Sequence, residues 1–211
     1  MERLCAEELD SVGLLPSAPE PIRIDRFIEK RFGITPEYAE LPHGVLGYSR
    51  FSRAGVVEIA VARALGNDSS RIAERRVSTT LAHEAGHCLL HAHLFAFEEP
   101  PSLFGSPDDP GRILCRDEST HSITSRKSYD GRWWEFQANQ AMAALLLPRR
   151  LVRIALEPFV GPQSPLGGDV LPNSMREEAA ATLADIFEVN TVVARIRVDE
   201  VCPARGGQLT F

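Results

Sequence analysis

No apolar run in this chain is long enough to cross a bilayer. The longest, Ala141 to Leu147, falls far short of the ~20 residues that a spanning helix requires. The first residues, Met1-Glu2-Arg3-Leu4-Cys5-Ala6-Glu7-Glu8, put carboxylates where a secretory signal needs apolar side chains, so a cytoplasmic location is expected. Cysteine is sparse, and Cys5, Cys88, Cys115 and Cys202 lie far apart with no CxxC pair. That spacing excludes a thiolate zinc site and a disulfide framework, and it fits reduced thiols. Positive charge is also short: 23 basic residues face 29 acidic ones, giving a net charge of −6 and a sequence pI near 5.6. Such a balance gives no general attraction to nucleic acid or to an anionic membrane. Lysine itself occurs only at Lys30 and Lys127, and no mechanism follows from that.

What is present suits a globular protein. With 211 residues, 44% hydrophobic and 25% charged, the chain can bury a core without staples. That size predicts one domain, or one domain with a small appendage. The prolines at 16, 19 and 21 punctuate the start, so residues 1–21 are expected to form a loose or peripheral helix and its exit. Apolar residues at 24, 27, 28 and 32 predict a helix that Gly33 stops. Val45 to Phe51 and Val56 to Val61 predict two strands joined as a hairpin through residues 52–55. Arg71 to Arg76 reads as a charged lead-in to a helix capped at Ser78, Thr79 or Thr80 and running to about His91. Residues 98–132, with four prolines and three glycines, read as a long loop, mobile beside the functional cleft. Trp133 to Leu147 is helical and Pro148 closes it; residues 158–172 are a second linker. Two further helices are expected, from Ser174 to Phe187 and from about Thr191 to Val198. The division is an N-terminal segment (1–21), a core with its long loop (22–150) and a C-terminal helical extension (151–211). The fold class is α+β.

His83-Glu84-Ala85-Gly86-His87 is an HExxH motif. At 3.6 residues per turn, positions four apart share a face, so both imidazoles can reach one metal ion. Glu84 stands on the same turn, where it can take a proton from a water that the metal acidifies toward a pKa of ~7. The alternative is two histidines and a carboxylate on a solvated helix face. A catalytic zinc normally has three protein ligands. His93 stands six residues after His87, but a ligand there needs Gly at position 90 to turn the chain back, and residue 90 is Leu. The better third ligand is Glu135, in the next helix. Asn139, one turn on, can accept a hydrogen bond from a ligand imidazole and fix its orientation.

These residues resemble a known family. Arg76-Val77-Ser78-Thr79-Thr80-Leu81-Ala82-His83-Glu84-Ala85-Gly86-His87-Cys88-Leu89-Leu90-His91 is similar to the core of the ImmA/IrrE zinc peptidases. Glu135-Phe136-Gln137-Ala138-Asn139, continuing to Ala144-Leu145-Leu146-Leu147-Pro148, resembles that family's helix of E-x-x-A-N/D ending in LLxP. Leu183 to Asn190, followed by Arg195-Ile196, resembles its C-terminal signature more weakly. The resemblance implies a zincin-like core and a gluzincin-like site, with His83, His87 and Glu135 on zinc and Glu84 as general base. It also implies regulated cleavage of a protein partner, often a helix-turn-helix repressor.

Other residues carry less. His91 continues the histidine stripe and reads as a packing residue or a support for the ligands. His121, Tyr129 and Arg132 could stabilise an oxyanion. Cys88 points away from the metal face and reads as core. Ala184, Val189 and Val193 give the tail a helix-turn-helix rhythm, with Glu188 where such turns prefer Gly. From Pro172 to Phe211, four Arg face six acidic residues, which disfavours direct nucleic-acid binding. The sequence thus points to a zinc endopeptidase acting on a protein partner. The competing expectation is a non-proteolytic zinc-containing module that binds a repressor or DNA.

Overall fold

The computed structural model describes residues 1–95, 112–116, 133–161 and 171–203. In chain order they form α1 (Glu2–Ser11), α2 (Ile24–Phe32), β1 (Glu37–Ala39), β2 (Val45–Ser52) and β3 (Gly55–Ala62). Then come α3 (Arg63–Gly66), α4 (Arg71–Leu90), α5 (Ala92–Phe95), β4 (Arg112–Arg116) and α6 (Trp133–Leu146). The chain continues through α7 (Arg149–Leu156), α8 (Arg176–Ile186) and α9 (Thr191–Val201). The architecture is α+β.

The sheet runs β1-β3-β2-β4. β2 and β3 form the antiparallel hairpin expected from two apolar runs flanking the turn at 52–55, β1 joins β3 in parallel, and β4 joins β2 antiparallel. β4 lies inside the stretch that reads as a loop; its five residues are too few for alternation to declare a strand, and the open edge of β2 supplies the pairing. The rest of 98–132 lies outside the described residues, as does most of the 158–172 linker.

The helix α4 begins earlier than the sequence suggests. Ser70 caps it, its hydroxyl accepting from the Ala73 amide at 3.2 Å, so Arg71 to Arg76 is helix rather than lead-in. Thr79 is interior, its hydroxyl donating to the Arg75 carbonyl at 2.7 Å. From Thr80 to Cys88 every residue is buried. Such a helix is enclosed on several sides: α4 packs on β2 and β3, on α2 and most extensively on α6.

α1 is neither loose nor peripheral. Cys5 and Leu9, one turn apart, are fully buried, and α1 packs on α6 with the Cys5 thiol 3.8 Å from the Ala141 carbonyl. The fully buried Arg197 of α9 locks this end. Its Nε and Nη2 donate to the Leu147 carbonyl at 3.0 and 2.8 Å, and the guanidinium pairs with Glu2 and Glu200. A cation at the C-terminal end of α6 also complements that helix's dipole. α7, unannounced by its short and Arg-rich sequence, packs Leu151, Val152 and Leu156 inward against α8 and α9. One hydrophobic cluster takes side chains from 1–21, 22–150 and 151–211 alike, so the three segments share a core. Among the described residues no helix is long and apolar enough to cross a membrane.

Candidate metal centre

The site is built by the close approach of α4 and α6. Gly86, inside the HExxH motif, permits it: a Cβ there would stand 2.9 Å from the Ala138 carbonyl oxygen and 3.1 Å from the Ala141 Cβ. Small residues on both helices let the backbones meet, and side chains within one turn of that contact then face one another. Glu135 and Asn139, four apart on α6, come over the imidazoles of His83 and His87, four apart on α4.

Three ligand atoms converge. His83 Nε2 lies 3.0 Å from His87 Nε2 and 3.1 Å from Glu135 Oε2, and His87 Nε2 lies 3.6 Å from the same oxygen. Among the described residues this is the group that could hold a metal ion. Bonds of ~2.0 Å at tetrahedral angles put neighbouring ligand atoms ~3.3 Å apart, so this triangle matches one face of a tetrahedron around a zinc-sized ion. The hydrogen positions point the same way. Asn139 Oδ1 stands 3.0 Å from His83 Nδ1; as an acceptor it places the proton of the neutral ring on Nδ1 and leaves a lone pair on Nε2. That lone pair faces a carboxylate oxygen and a second imidazole nitrogen. Such a gathering of acceptors calls for a cation between them.

Two of the three ionisation states agree. Burial pushes His83 down, but its hydrogen bond to Glu135 and the Glu84 and Glu135 carboxylates outweigh that, and its pKa is raised. His87 is lowered to about 4 by burial, which keeps the imidazole neutral at pH 7. Burial also works to raise Glu135, yet its contacts with the two imidazoles hold its carboxyl far below the usual range. A neutral His87 and an ionised Glu135 are the states in which such groups ligate a metal, while the proton that Glu135 favours on His83 is one that a metal ion would displace.

Glu84 is fully buried, and burial raises its pKa to about 7 against the opposing effects of His83 and Ser49. The hydroxyl of Ser49, also fully buried, donates to Glu84 Oε2 and lies 3.4 Å from the Glu84 carbonyl. Glu84 Oε1 has no hydrogen-bond partner among the described residues. A carboxylate near neutral pKa, with one oxygen held and the other free, can accept and return a proton. Gly47 lets β2 come this close: a Cβ there would lie 2.6 Å from the Thr80 methyl and 3.4 Å from Glu84 Oε1.

The structure therefore gathers His83, Glu84, His87, Glu135 and Asn139 at one place, and the histidines are buried rather than on a solvated face. His93, on α5, is exposed and stands outside the cluster. Cys88 is buried in the hydrophobic core. His121, Tyr129 and Arg132 lie outside the described residues. Ser49 escaped the sequence reading; the available signal was two small residues, Gly47 and Ser49, on one face of a strand. His91 is fully buried, its Nδ1 3.1 Å from His87 Nδ1 and its Nε2 3.1 Å from Gln137 Oε1. Comparison of the chain with protein-family models, with curated proteins and with solved structures found no match.

Proposed function

We propose that this protein is a cytoplasmic zinc-dependent endopeptidase of the ImmA/IrrE type, with a zincin-like core, that hydrolyses a peptide bond in a protein partner such as a helix-turn-helix repressor. The observation that carries this reading is the triangle of His83, His87 and Glu135 beside a buried carboxylate, Glu84, with one free oxygen. His83, His87 and Glu135 would hold the ion, and zinc would supply a Lewis acid that acidifies water and polarises the scissile carbonyl. Glu84 takes the water's proton on Oε1 while Ser49 holds Oε2, and it returns that proton to the leaving amine. Asn139 keeps the His83 ring turned so that its lone pair faces the ion.

The charges of the C-terminal α8–α9 pair argue against DNA binding. On α9, Arg195 pairs with Glu177 and Asp199 takes Arg176 of α8, so these charges are spent within the pair.

The decisive experiment uses Glu84→Gln. Gln keeps the size and a hydrogen-bonding oxygen, so fold and zinc content should be unchanged while hydrolysis falls by ~10²–10⁴-fold. A pull-down with this variant should capture a partner that the wild type then cleaves. If the captured partner stays intact with wild type, and Glu84→Gln acts in cells as wild type does, the protein is a binding module and the peptidase reading fails.

A further inference from the structure

α6 meets α4 through three polar side chains, and only two of them act on the ligand imidazoles directly. Glu135 touches both rings and Asn139 orders His83. The third, Gln137, reaches His87 only through His91, by contacts of 3.1 Å from Oε1 to His91 Nε2 and 3.1 Å from His91 Nδ1 to His87 Nδ1. Both histidines are fully buried.

We propose that Gln137, His91 and His87 form a proton-ordered chain that presents the Nε2 lone pair of His87 to the metal, with His91 as the positioning residue. The inference rests on the metal reading of the same site. The chain has two possible polarities. With the Gln137 carbonyl facing His91, Oε1 accepts from His91 Nε2–H, His91 Nδ1 accepts from His87 Nδ1–H, and His87 Nε2 is left with a lone pair. With the amide turned over, its NH₂ donates to His91, His91 Nδ1–H donates to His87, and His87 Nε2 carries a proton that shuts out the ion. Only the first polarity binds metal, so α6 orders both ligand rings of α4: His83 through Asn139, and His87 through Gln137 and His91. The His91 ring is held besides by an edge-on contact with Trp133, their centres 5.5 Å apart.

The test is the affinity of the purified, metal-free protein for zinc, by competition with a chromophoric chelator. His91→Phe keeps the ring contact with Trp133 and removes both nitrogens; zinc should bind about 10–100-fold more weakly. His91→Asn, whose Oδ1 stands near the place of Nδ1 and accepts from His87, should recover most of that loss. Gln137→Glu can only accept, so it should bind zinc at least as tightly as wild type, whereas Gln137→Met should lose about tenfold. A merely structural role would not separate Glu from Met at 137, and that pair carries the test if His91→Phe fails to fold. Wild-type affinity in both His91→Phe and Gln137→Met overturns the chain, and Gln137→Glu as weak as Gln137→Met overturns its polarity. A wild-type protein that takes up no zinc overturns the metal reading along with it.

Discussion

Gly86→Ala tests how the site is assembled. In an open helix this change would stabilise the protein, because Ala is about 1 kcal/mol better than Gly in a helix interior. Here the added methyl meets the Ala138 carbonyl oxygen at 2.9 Å, the Ala141 Cβ at 3.1 Å and the Ala138 Cα at 3.2 Å. Two of these atoms are backbone in the middle of a buried helix, so no side chain can swing aside. Relief requires α4 and α6 to separate by about half an ångström, to reach ordinary van der Waals contact. Overpacking of this kind costs about 1–3 kcal/mol. Set against the helix gain, the net expectation is a loss of about 0–2 kcal/mol, measured by urea unfolding of the metal-free protein. The same separation carries Glu135 away from the imidazoles, widening a triangle whose longest edge is already 3.6 Å. Zinc affinity should therefore drop about tenfold, read by chelator competition. Adding Ala141→Gly should recover only part of either loss, since the Ala138 backbone contacts remain. A Gly86→Ala protein more stable than wild type, with unchanged zinc affinity, would refute the claim that Gly86 sets the helix spacing.

Removing the buried Arg197 cation, as in Arg197→Met, should cost about 3–5 kcal/mol in unfolding free energy, because it strips the Leu147 carbonyl of its guanidinium donors and Glu200 of its cationic partner. Glu188→Gly should be neutral or stabilise by up to about 1 kcal/mol, seen as a higher Tm, since the exposed Glu188 joins α8 to α9 with a left-handed φ of 52°. Zinc binding should weaken by roughly tenfold per pH unit below the ordinary histidine value of ~6.5. The sign follows from His83: its raised pKa lets the metal-free protein hold a proton there that zinc must displace, so acid favours the unliganded form. Zinc affinity constant between pH 7 and pH 5 would show that no proton is displaced.

The sequence alone determined the candidate residues and the local units that carry them. HExxH on a helix fixes which atoms share a face, because the 3.6-residue repeat leaves no freedom between positions four apart. The same rule pairs Glu135 with Asn139, and two short apolar runs, Val45 to Phe51 and Val56 to Val61, on either side of a turn declare the hairpin. What the sequence left undecided depends on neighbours distant in the chain. β4 is a strand because the edge of β2 is open to it, and α1 is core because α6 offers Cys5 and Leu9 a place to pack. Ser49 gains its role only when β2 lies against α4, since a lone serine in a strand carries no sign of the carboxylate above it. His91 and Gln137 become one chain only when Gly86 lets the two helices touch. Periodicity is a property of consecutive residues and can be read from them; the meeting of two faces depends on the volumes at their contact, which only the tertiary structure brings together.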